Sequence, residues 1–595
     1  MKITHDTKNL EYRNPFGAVP TGTEVLLTLK IEESGENSPP LEGWRAQPDG
    51  VVDHPHSVFL RLWENEEEKL LSMMKEEELY TIKLKCDKPQ LIFYYFKIDN
   101  LYFGVNQQPQ ELEPNSFQIT VYDKDYKTPK WWGQQVVYQI FVDRFFNGNP
   151  HKEVIKNHDE YIIHQNWNED VSDNIHHRDF FGGNLQGVIE KLDYLENLGI
   201  TCIYFNPIFE ARSNHKYDTA NYMKIDPMFG DEKTFKNLCK EAKKRGISVI
   251  LDGVFSHTGS DSVYFNKHNT YDSVGAYQSK ESPFYKWYQF TEFPDEYKCW
   301  WGNQSMPEID ELQPSYQGYI LKNVDSVVKH WLKCGARGWR LDVADELPDA
   351  FIKVLREEVK KEKEDSIVIG EVWEDASNKV SYGVQREYFL GEELDGVINY
   401  PFKDAIFGFL KGEKTAYEAN KVFERIIENY PPQSLSASFL VLGNHDTARI
   451  KTVINNNNLQ KLAVLWQMTF MGVPCVYYAD EVGQTGDADP YNRRSFPWNN
   501  VDLELMEYYK SLIAIRKYNS ILQNGHYTNV PIDNDVLAYI RHNFLQAILV
   551  VINRANSEKE LVIDLSGFGG SKQAKIKLAP FGGIIYDVKN KKGIF

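Results

Sequence analysis

The stretch "GWRLDVADE", residues 338–346, sets two opposite charges, Arg340 and Asp342, two positions apart in a run that otherwise reads as a buried strand. Side chains alternate along a strand, so Trp339, Leu341 and Val343 are expected on one face and Arg340, Asp342 and Ala344 on the other. Taking ions out of water costs several kcal/mol each unless they are paired. Two explanations fit the stretch by itself: a structural ion pair, or charges held for a ligand.

Seven other short apolar runs read the same way: "VVYQIFVD" (136–143), "TCIYFNP" (201–207), "SVILDGV" (248–254), "SIVIGEV" (366–372), "GVINYP" (396–401), "SFLVLGNH" (438–445) and "VPCVYYAD" (473–480). Helical patterns separate them. In "DEKTFKNLCKEAKKRG" (231–246), Phe235, Leu238, Cys239 and Ala242 recur at helical spacing and Gly246 is placed to stop the helix. A second helix ahead of the fourth strand is expected to carry Ile320, Val324, Val327, Trp331 and Leu332 on one face. Eight strands alternating with helices predict an α/β chain with a (β/α)8 barrel, whose reacting groups come from the carboxyl ends of different strands. Asp252, His257, Arg340, Asp342, Glu371, His445 and Asp446 all fall at that end, which favours a functional site over a lone ion pair.

At 595 residues, two to four domains are expected. Residues 1–125 read as short strands of a β-sandwich, among them "EVLLTLKI" and "LIFYYFKI"; 126–515 hold the barrel, with an insert at about 258–317 after the third strand. Residues 516–595 return to strands and predict a second, smaller sandwich. A net charge of −18 and a sequence pI near 5.4 argue against nucleic acid as partner. The amino terminus lacks the apolar run of a secretory signal and no run reaches a membrane span, so a cytoplasmic location without membrane partner is expected. Six scattered cysteines without a C-x-x-C pair read as reduced, mostly buried thiols. Aromatics make up 14% of the chain, more than packing usually requires, and flat rings also stack on sugars.

"DGVFSH" (252–257), "GWRLDVADE", "EVW" (371–373) and "GNHD" (443–446) resemble, in order and spacing, the four signature regions of glycoside hydrolase family 13, the α-amylase family. The likeness extends to "YQIFVDRFFNGNP", "HKYDTANY", "MPEIDE" and "DADPYNRRSFPW". "EYRNPFGAVPTGTEVLLTL" (11–29) is similar to the family 34 carbohydrate-binding module that precedes the barrel in neopullulanases, cyclomaltodextrinases and their relatives, some of which dimerise through it. The resemblance implies Asp342 as nucleophile, Glu371 as acid/base and Asp446 as the carboxylate that grips the distorting sugar. It implies Arg340 as the group holding Asp342 ionised, and Tyr217, Asp252, His257, Trp373, His445, Asp489 and Arg493 as substrate contacts. Retaining cleavage needs two carboxyls about 5–5.5 Å apart, one ionised and one protonated. Two departures stand out: Ser256 in place of an Asn, and Glu308 in place of a Lys.

No cofactor is needed for that chemistry. Relatives bind calcium after the first strand, and the matching residues here are Asn147, Asn149, Glu153, Gly183 and Asn184, with Asn149 and Asn184 in place of acids; losing two carboxylates weakens a calcium site. The histidines at 158, 164, 176 and 177 read as a solvated loop. The implied function is a retaining α-glucan hydrolase acting on maltooligosaccharides, starch, pullulan or cyclodextrins. A transglycosylase shares its covalent intermediate, and a non-catalytic glucan-binding barrel is the third alternative.

Overall fold

The structure is a computed structural model that describes the chain except residues 33–55, 65–66, 150–152, 155, 157, 172–176 and 570–571. The eight expected barrel strands are present: β1 (Val137–Ile140), β2 (Cys202–Phe205), β3 (Ser248–Gly253), β4 (Gly338–Leu341), β5 (Ile367–Gly370), β6 (Gly396–Val397), β7 (Phe439–Val441) and β8 (Val473–Tyr477). All pairings are parallel and spatial order follows chain order, with β8 beside β1. Between β6 and β7 the ring closes through a single bridge, Ile398 to Phe439. Val137, Cys202, Tyr204, Ile250, Ile367, Ile369, Phe439 and Cys475 fill the interior, so the barrel is a packed core with its open face at the strand ends.

Helix α1 (Glu232–Lys244) follows β2; Asp231 caps its start by accepting the Thr234 N–H at 2.7 Å, and Gly246, at φ +71°, turns the chain out of it. Phe235, Leu238 and Ala242 form its buried face. The expected helix ahead of β4 is shorter than its apolar pattern: a π-helical turn (Gly318–Lys322) is followed by a break, and helix α2 spans only Val327–Cys334. Val324 lies in the break and is 78% exposed, a correction to its place on the packed face. Ser326 makes the break, its hydroxyl donating to the Leu321 carbonyl at 2.8 Å. Among the described residues no helix is long and apolar enough to cross a membrane. Five of the six cysteines are buried and Cys299 is half-buried, all as free thiols.

The described chain divides into two compact units. The first comprises residues 1–127 together with 385–392 and 425–432. Its two sheets pack Val25, Leu27, Leu29, Leu60, Tyr94 and Phe96 between them. Within it, the wholly buried Arg13 donates to Glu428 at 2.6 Å and Asn429 O accepts from Thr120 at 2.7 Å, so segments distant in sequence belong to its core. The second unit holds the barrel, the insert and the carboxy-terminal sheets. Those last sheets join the barrel through buried polar contacts. Arg541 donates to the Thr469 and Leu522 carbonyls at 2.8 and 3.1 Å, and the Thr469 and Tyr539 hydroxyls meet at 2.6 Å.

In the turn just after β8, Glu481 is wholly buried and accepts the Tyr138 and Tyr194 hydroxyls at 2.7 and 2.6 Å. Burial pushes its carboxyl up to about 7 against those two bonds, and pushes Glu311 up to about 8. Such a group stays protonated in the native chain at pH values where the unfolded chain has released its proton, so stability falls as pH rises across that interval. His5 and His257, both pushed down to about 4 by burial, act in the opposite sense, but only up to the unfolded histidine value of about 6.5. From about pH 6.5 to 8 the thermal midpoint is therefore expected to fall. Glu481→Gln keeps an acceptor for both tyrosines and should flatten that fall; identical slopes in the two proteins would show that Glu481 is ionised in the native state.

Candidate active site

Strand β4 brings Trp339 against Phe209 and Phe255, and Arg340 to the polar centre; both side chains are fully buried. The expected alternation ends two residues later. Asp342 N–H still donates to the Gly253 carbonyl at 3.1 Å, but Val343 turns to φ +35° and its N–H donates to Glu371 Oε2 at 2.9 Å. A β-branched residue is strained in the left-handed region, and such strain gathers at sites that use it. Capture of that amide by the end of β5 fixes where the strand stops.

Arg340 then gathers three carboxyls from three strands. Its Nη1 donates to Asp252 Oδ1 and to Asp342 Oδ1, each at 2.7 Å. Its Nη2 lies 2.7 Å from Glu371 Oε2, close enough to pair as ions but off the line of a hydrogen bond. Asp252 is satisfied on its other oxygen by the Tyr204 and Tyr217 hydroxyls at 2.7 and 3.0 Å. One guanidinium cannot neutralise three buried carboxylates. Burial raises the Asp342 carboxyl well above its usual range; Arg340 opposes the rise, and the charges of Glu371 and Asp252 add to it. Arg340 thus favours the ionised form of Asp342, as expected of a guanidinium on the same face, while desolvation and the neighbouring charges of Glu371 and Asp252 oppose it.

The opposite wall is built from β7 and the loop after β8. Gln139 Nε2 lies 2.9 Å from His445 Nδ1 and donates to it, which leaves the ring proton on Nε2. That nitrogen meets the Tyr217 hydroxyl at 2.5 Å and Asp446 Oδ2 at 3.1 Å, and the Tyr217 and His445 rings lie parallel at 5.3 Å. Arg493 spans this wall, with Nε donating to the His445 carbonyl at 3.0 Å, Nη1 3.2 Å from Asp489 and Nη2 3.6 Å from Asp446. Crowding by the cleft walls, then by the Glu371 charge, pushes the Asp446 carboxyl up to about 7, a rise tempered by water on the 29% of its side chain left exposed.

His257 is buried and its Nε2 has no protein partner, while its Nδ1 meets Ser256 Oγ at 3.0 Å. Ser256 thus supplies the hydroxyl that fixes this ring. Trp373 lies flat on Tyr400 at 4.1 Å with an interplanar angle of 3° and stays 43% exposed. The insert returns to the barrel at Glu308, which bridges His257 and pairs with Lys298. The structure thus brings Tyr217, Asp252, His257, Arg340, Asp342, Glu371, Trp373, His445, Asp446, Asp489 and Arg493 to the carboxyl ends of the strands, as their positions in the sequence require.

Sequence reading missed several members. Tyr204, Gln139 and Asn206 sit on strands or strand ends and looked like core. Polar residues within otherwise apolar runs were the signal that could have found them. Trp301, 76% exposed, donates to Glu346 at 3.1 Å, and Tyr382, 74% exposed, donates to the same carboxylate at 2.6 Å. These two rings form an aromatic edge beyond β4 that spacing could not show.

The five candidate calcium residues lie together but face one another as amides. Asn147 and Asn149 both donate to the Glu153 carbonyl, at 3.3 and 2.6 Å. Asn147 Oδ1 accepts the Asn149 N–H at 2.9 Å. Asn184 Oδ1 caps a short helix by accepting the Gly187 N–H at 2.8 Å, and takes the Gly148 N–H at 3.2 Å. Gly183 is glycine for space: a Cβ there would lie 2.1 Å from the Val142 carbonyl oxygen. Calcium takes six to eight oxygens with several charges; here donor amides face the shared carbonyl and the Glu153 side chain is exposed, so the set does not fit a cation cage. Of the loop histidines, His164 differs from the solvated reading: it stacks on Phe181 at 4.0 Å and sits between Glu169 at 2.7 Å and Asp179 at 3.4 Å. His176 lies outside the described residues.

The family model for the α-amylase catalytic domain matches residues 139–502. An amylopullulanase of Thermoanaerobacterium saccharolyticum is 34% identical over 95% of the chain, which spans 49%, about half, of that relative's length. A cyclomaltodextrinase of Geobacillus thermopakistaniensis is 35% identical, with 78% of this chain and 79% of the relative covered. A solved cyclomaltodextrinase structure superposes with a TM-score of 0.70 at 25% identity, covering 98% of this chain and 99% of its own.

Proposed function

The chain belongs to the α-amylase family, and from that premise we propose that it is a retaining α-glucan hydrolase that cleaves α-1,4 and α-1,6 glucosidic bonds by double displacement. The observation that carries this is the Arg340 guanidinium shared by Asp252, Asp342 and Glu371 at the ends of three successive barrel strands. Holding Asp342 and Glu371 on the two nitrogens of one planar cation suits the short carboxyl separation of retaining chemistry.

In this mechanism the sugar displaces water and stacks on Tyr217. Asp342 attacks the anomeric carbon while Glu371, acting as general acid, gives a proton to the leaving oxygen. As ring charge develops, Asp446 and Asp252 stabilise it and His257 Nε2 gains a sugar hydroxyl as partner. Glu371, now ionised, takes a proton from the incoming water, which releases the glycosyl group from Asp342. Trp373 and the Trp301–Tyr382 edge offer flat faces to the leaving glucan. Nothing in these steps calls for a cofactor, and Asn147, Asn149 and Glu153, bonded to one another through their amides and the Glu153 carbonyl, are expected to hold without calcium. EDTA should leave the thermal midpoint and activity unchanged; a calcium-dependent rise in the midpoint would overturn this.

The relatives' names support substrates among starch, pullulan and cyclodextrins. Chromatography of products from pullulan, soluble starch and β-cyclodextrin, with the product anomer read by NMR as it forms, tests the assignment. Release of the α-anomer supports it; the β-anomer, or no cleavage of any of the three, overturns it. We further propose a cytoplasmic location, with glucan rather than nucleic acid or membrane as partner. The proposal also makes the chain a homodimer through its amino-terminal unit, supported by the similarity of residues 11–29 to the module through which relatives dimerise. Because residues 385–392 and 425–432 belong to that unit, removing 1–125 would strip Arg13 from Glu428 and confound a deletion test. Sedimentation of the whole chain gives the direct check: a dimer's mass is expected, and a monomer at micromolar concentration rejects it.

A further inference from the structure

We infer that the outer face of the barrel carries a binding site for a divalent zinc-class cation, formed by Glu232 of α1 with His330 and Cys334 of α2. His330 and Cys334 are four residues apart on one helix, so they project from the same face, and α1 brings Glu232 to them from 98 positions away. One ligand atom from each lies within 4.8 Å of both others. His330 Nε2 is 3.0 Å from Glu232 Oε2 and 3.6 Å from Cys334 Sγ.

Those separations have the size a tetrahedral ion imposes. With Zn–N and Zn–O near 2.0–2.1 Å and Zn–S near 2.3 Å, ligand atoms stand about 3.3–3.6 Å apart. The His330–Cys334 edge already has that length and the His330–Glu232 edge needs only a few tenths of an ångström, while the Glu232–Cys334 edge lies within 4.8 Å. The donor set, one thiolate, one imidazole and one carboxylate, is borderline-soft and suits zinc or cobalt rather than magnesium or calcium. Thiolate and carboxylate together neutralise a dication, which suits the buried Cys334. On binding, the Cys334 thiol gives its proton to solvent, a sulfur–metal bond forms, and the fourth position is left to water. Glu232 is prepared for this division of labour: Oε2 faces the histidine while Oε1 accepts Lys236 Nζ at 2.5 Å and is held in place by it.

The site lies outside the catalytic cluster and ties α1, which leads into β3, to α2, which leads into β4. Its occupancy is therefore expected to raise the thermal midpoint of the barrel without changing the residues that contact glucan.

Cobalt(II) titration of the whole protein, reduced and stripped of metal, tests this directly. One equivalent is expected to bring up a sulfur-to-cobalt charge-transfer band with the visible bands of four-coordinate cobalt, and zinc should displace it. Cys334→Ser should abolish the charge-transfer band. Glu232→Gln, at a half-exposed position that leaves the fold intact, and His330→Ala should each weaken cobalt binding at least about tenfold. Cys239→Ser and Cys299→Ser should leave the spectrum unchanged. Absence of the band in the unaltered protein overturns the site, as does its survival in Cys334→Ser. A band lost in Cys239→Ser but kept in His330→Ala overturns it as well, by placing the metal on a pair of thiols.

Discussion

Asp342→Asn is expected to leave the chain folded while lowering turnover of maltooligosaccharides by about 10⁴-fold or more, the scale on which removing a covalent nucleophile acts. The asparagine oxygen can still accept Arg340 Nη1, which now meets Asp342 Oδ1 at 2.7 Å, so the guanidinium stays in place. Removing one of three carboxyls crowded around it relieves repulsion, and the thermal midpoint should hold or rise. What is lost is the attacking oxygen, since an amide is a poor nucleophile and every cycle passes through that bond. Steady-state rates and melting curves on the same preparation check both halves. Wild-type turnover in the variant would remove Asp342 from the mechanism, and a collapsed midpoint would make it a structural acid.

The barrel was legible because its evidence is local and repeated. Short apolar runs ending in charge, separated by helical spacing, can be read wherever the backbone keeps its period, as in Phe235, Leu238 and Ala242 of α1. The misses lie where a distant residue sets the local conformation. Val343 was expected to continue the β4 alternation, and only the Glu371 carboxylate at the end of the next strand shows why it turns. Val324 has the right spacing for a helix that Ser326 interrupts. The first compact unit needs residues 425–432, because Glu428 meets Arg13, and no composition shift marks that. In the site, residues whose charge is unusual for a strand were visible, while Tyr204 and Gln139 look like ordinary strand residues until the Asp252 and His445 atoms they touch are located. Balance of charge was the least legible of all. Whether Arg340 outweighs the desolvation of Asp342 depends on Glu371 and Asp252 converging on the same guanidinium, which is a property of the closed barrel.

Glu371→Gln separates the chemical steps in a way the nucleophile variant cannot. On starch or maltooligosaccharides the leaving group is a sugar hydroxyl that needs a proton as the bond breaks, and losing a general acid there costs about 10²–10⁴-fold. An α-glucosyl fluoride leaves as fluoride with little help, so its first step should slow by about tenfold or less. The glutamine oxygen can keep the Val343 N–H that Glu371 Oε2 now accepts at 2.9 Å, which preserves the turn and leaves Asp342 aimed at the sugar. Attack then proceeds while the second step lacks the base that activates water, so glycosyl-enzyme should accumulate and appear as added mass on the intact protein. A small external nucleophile such as azide, which needs no base, should release it and restore turnover of the fluoride. Equal losses on starch and fluoride, with no covalent species and no rescue by azide, would show that Glu371 only shapes the Arg340 cluster, and the proton donor would then have to be sought at Asp446, the remaining carboxyl on the cleft wall.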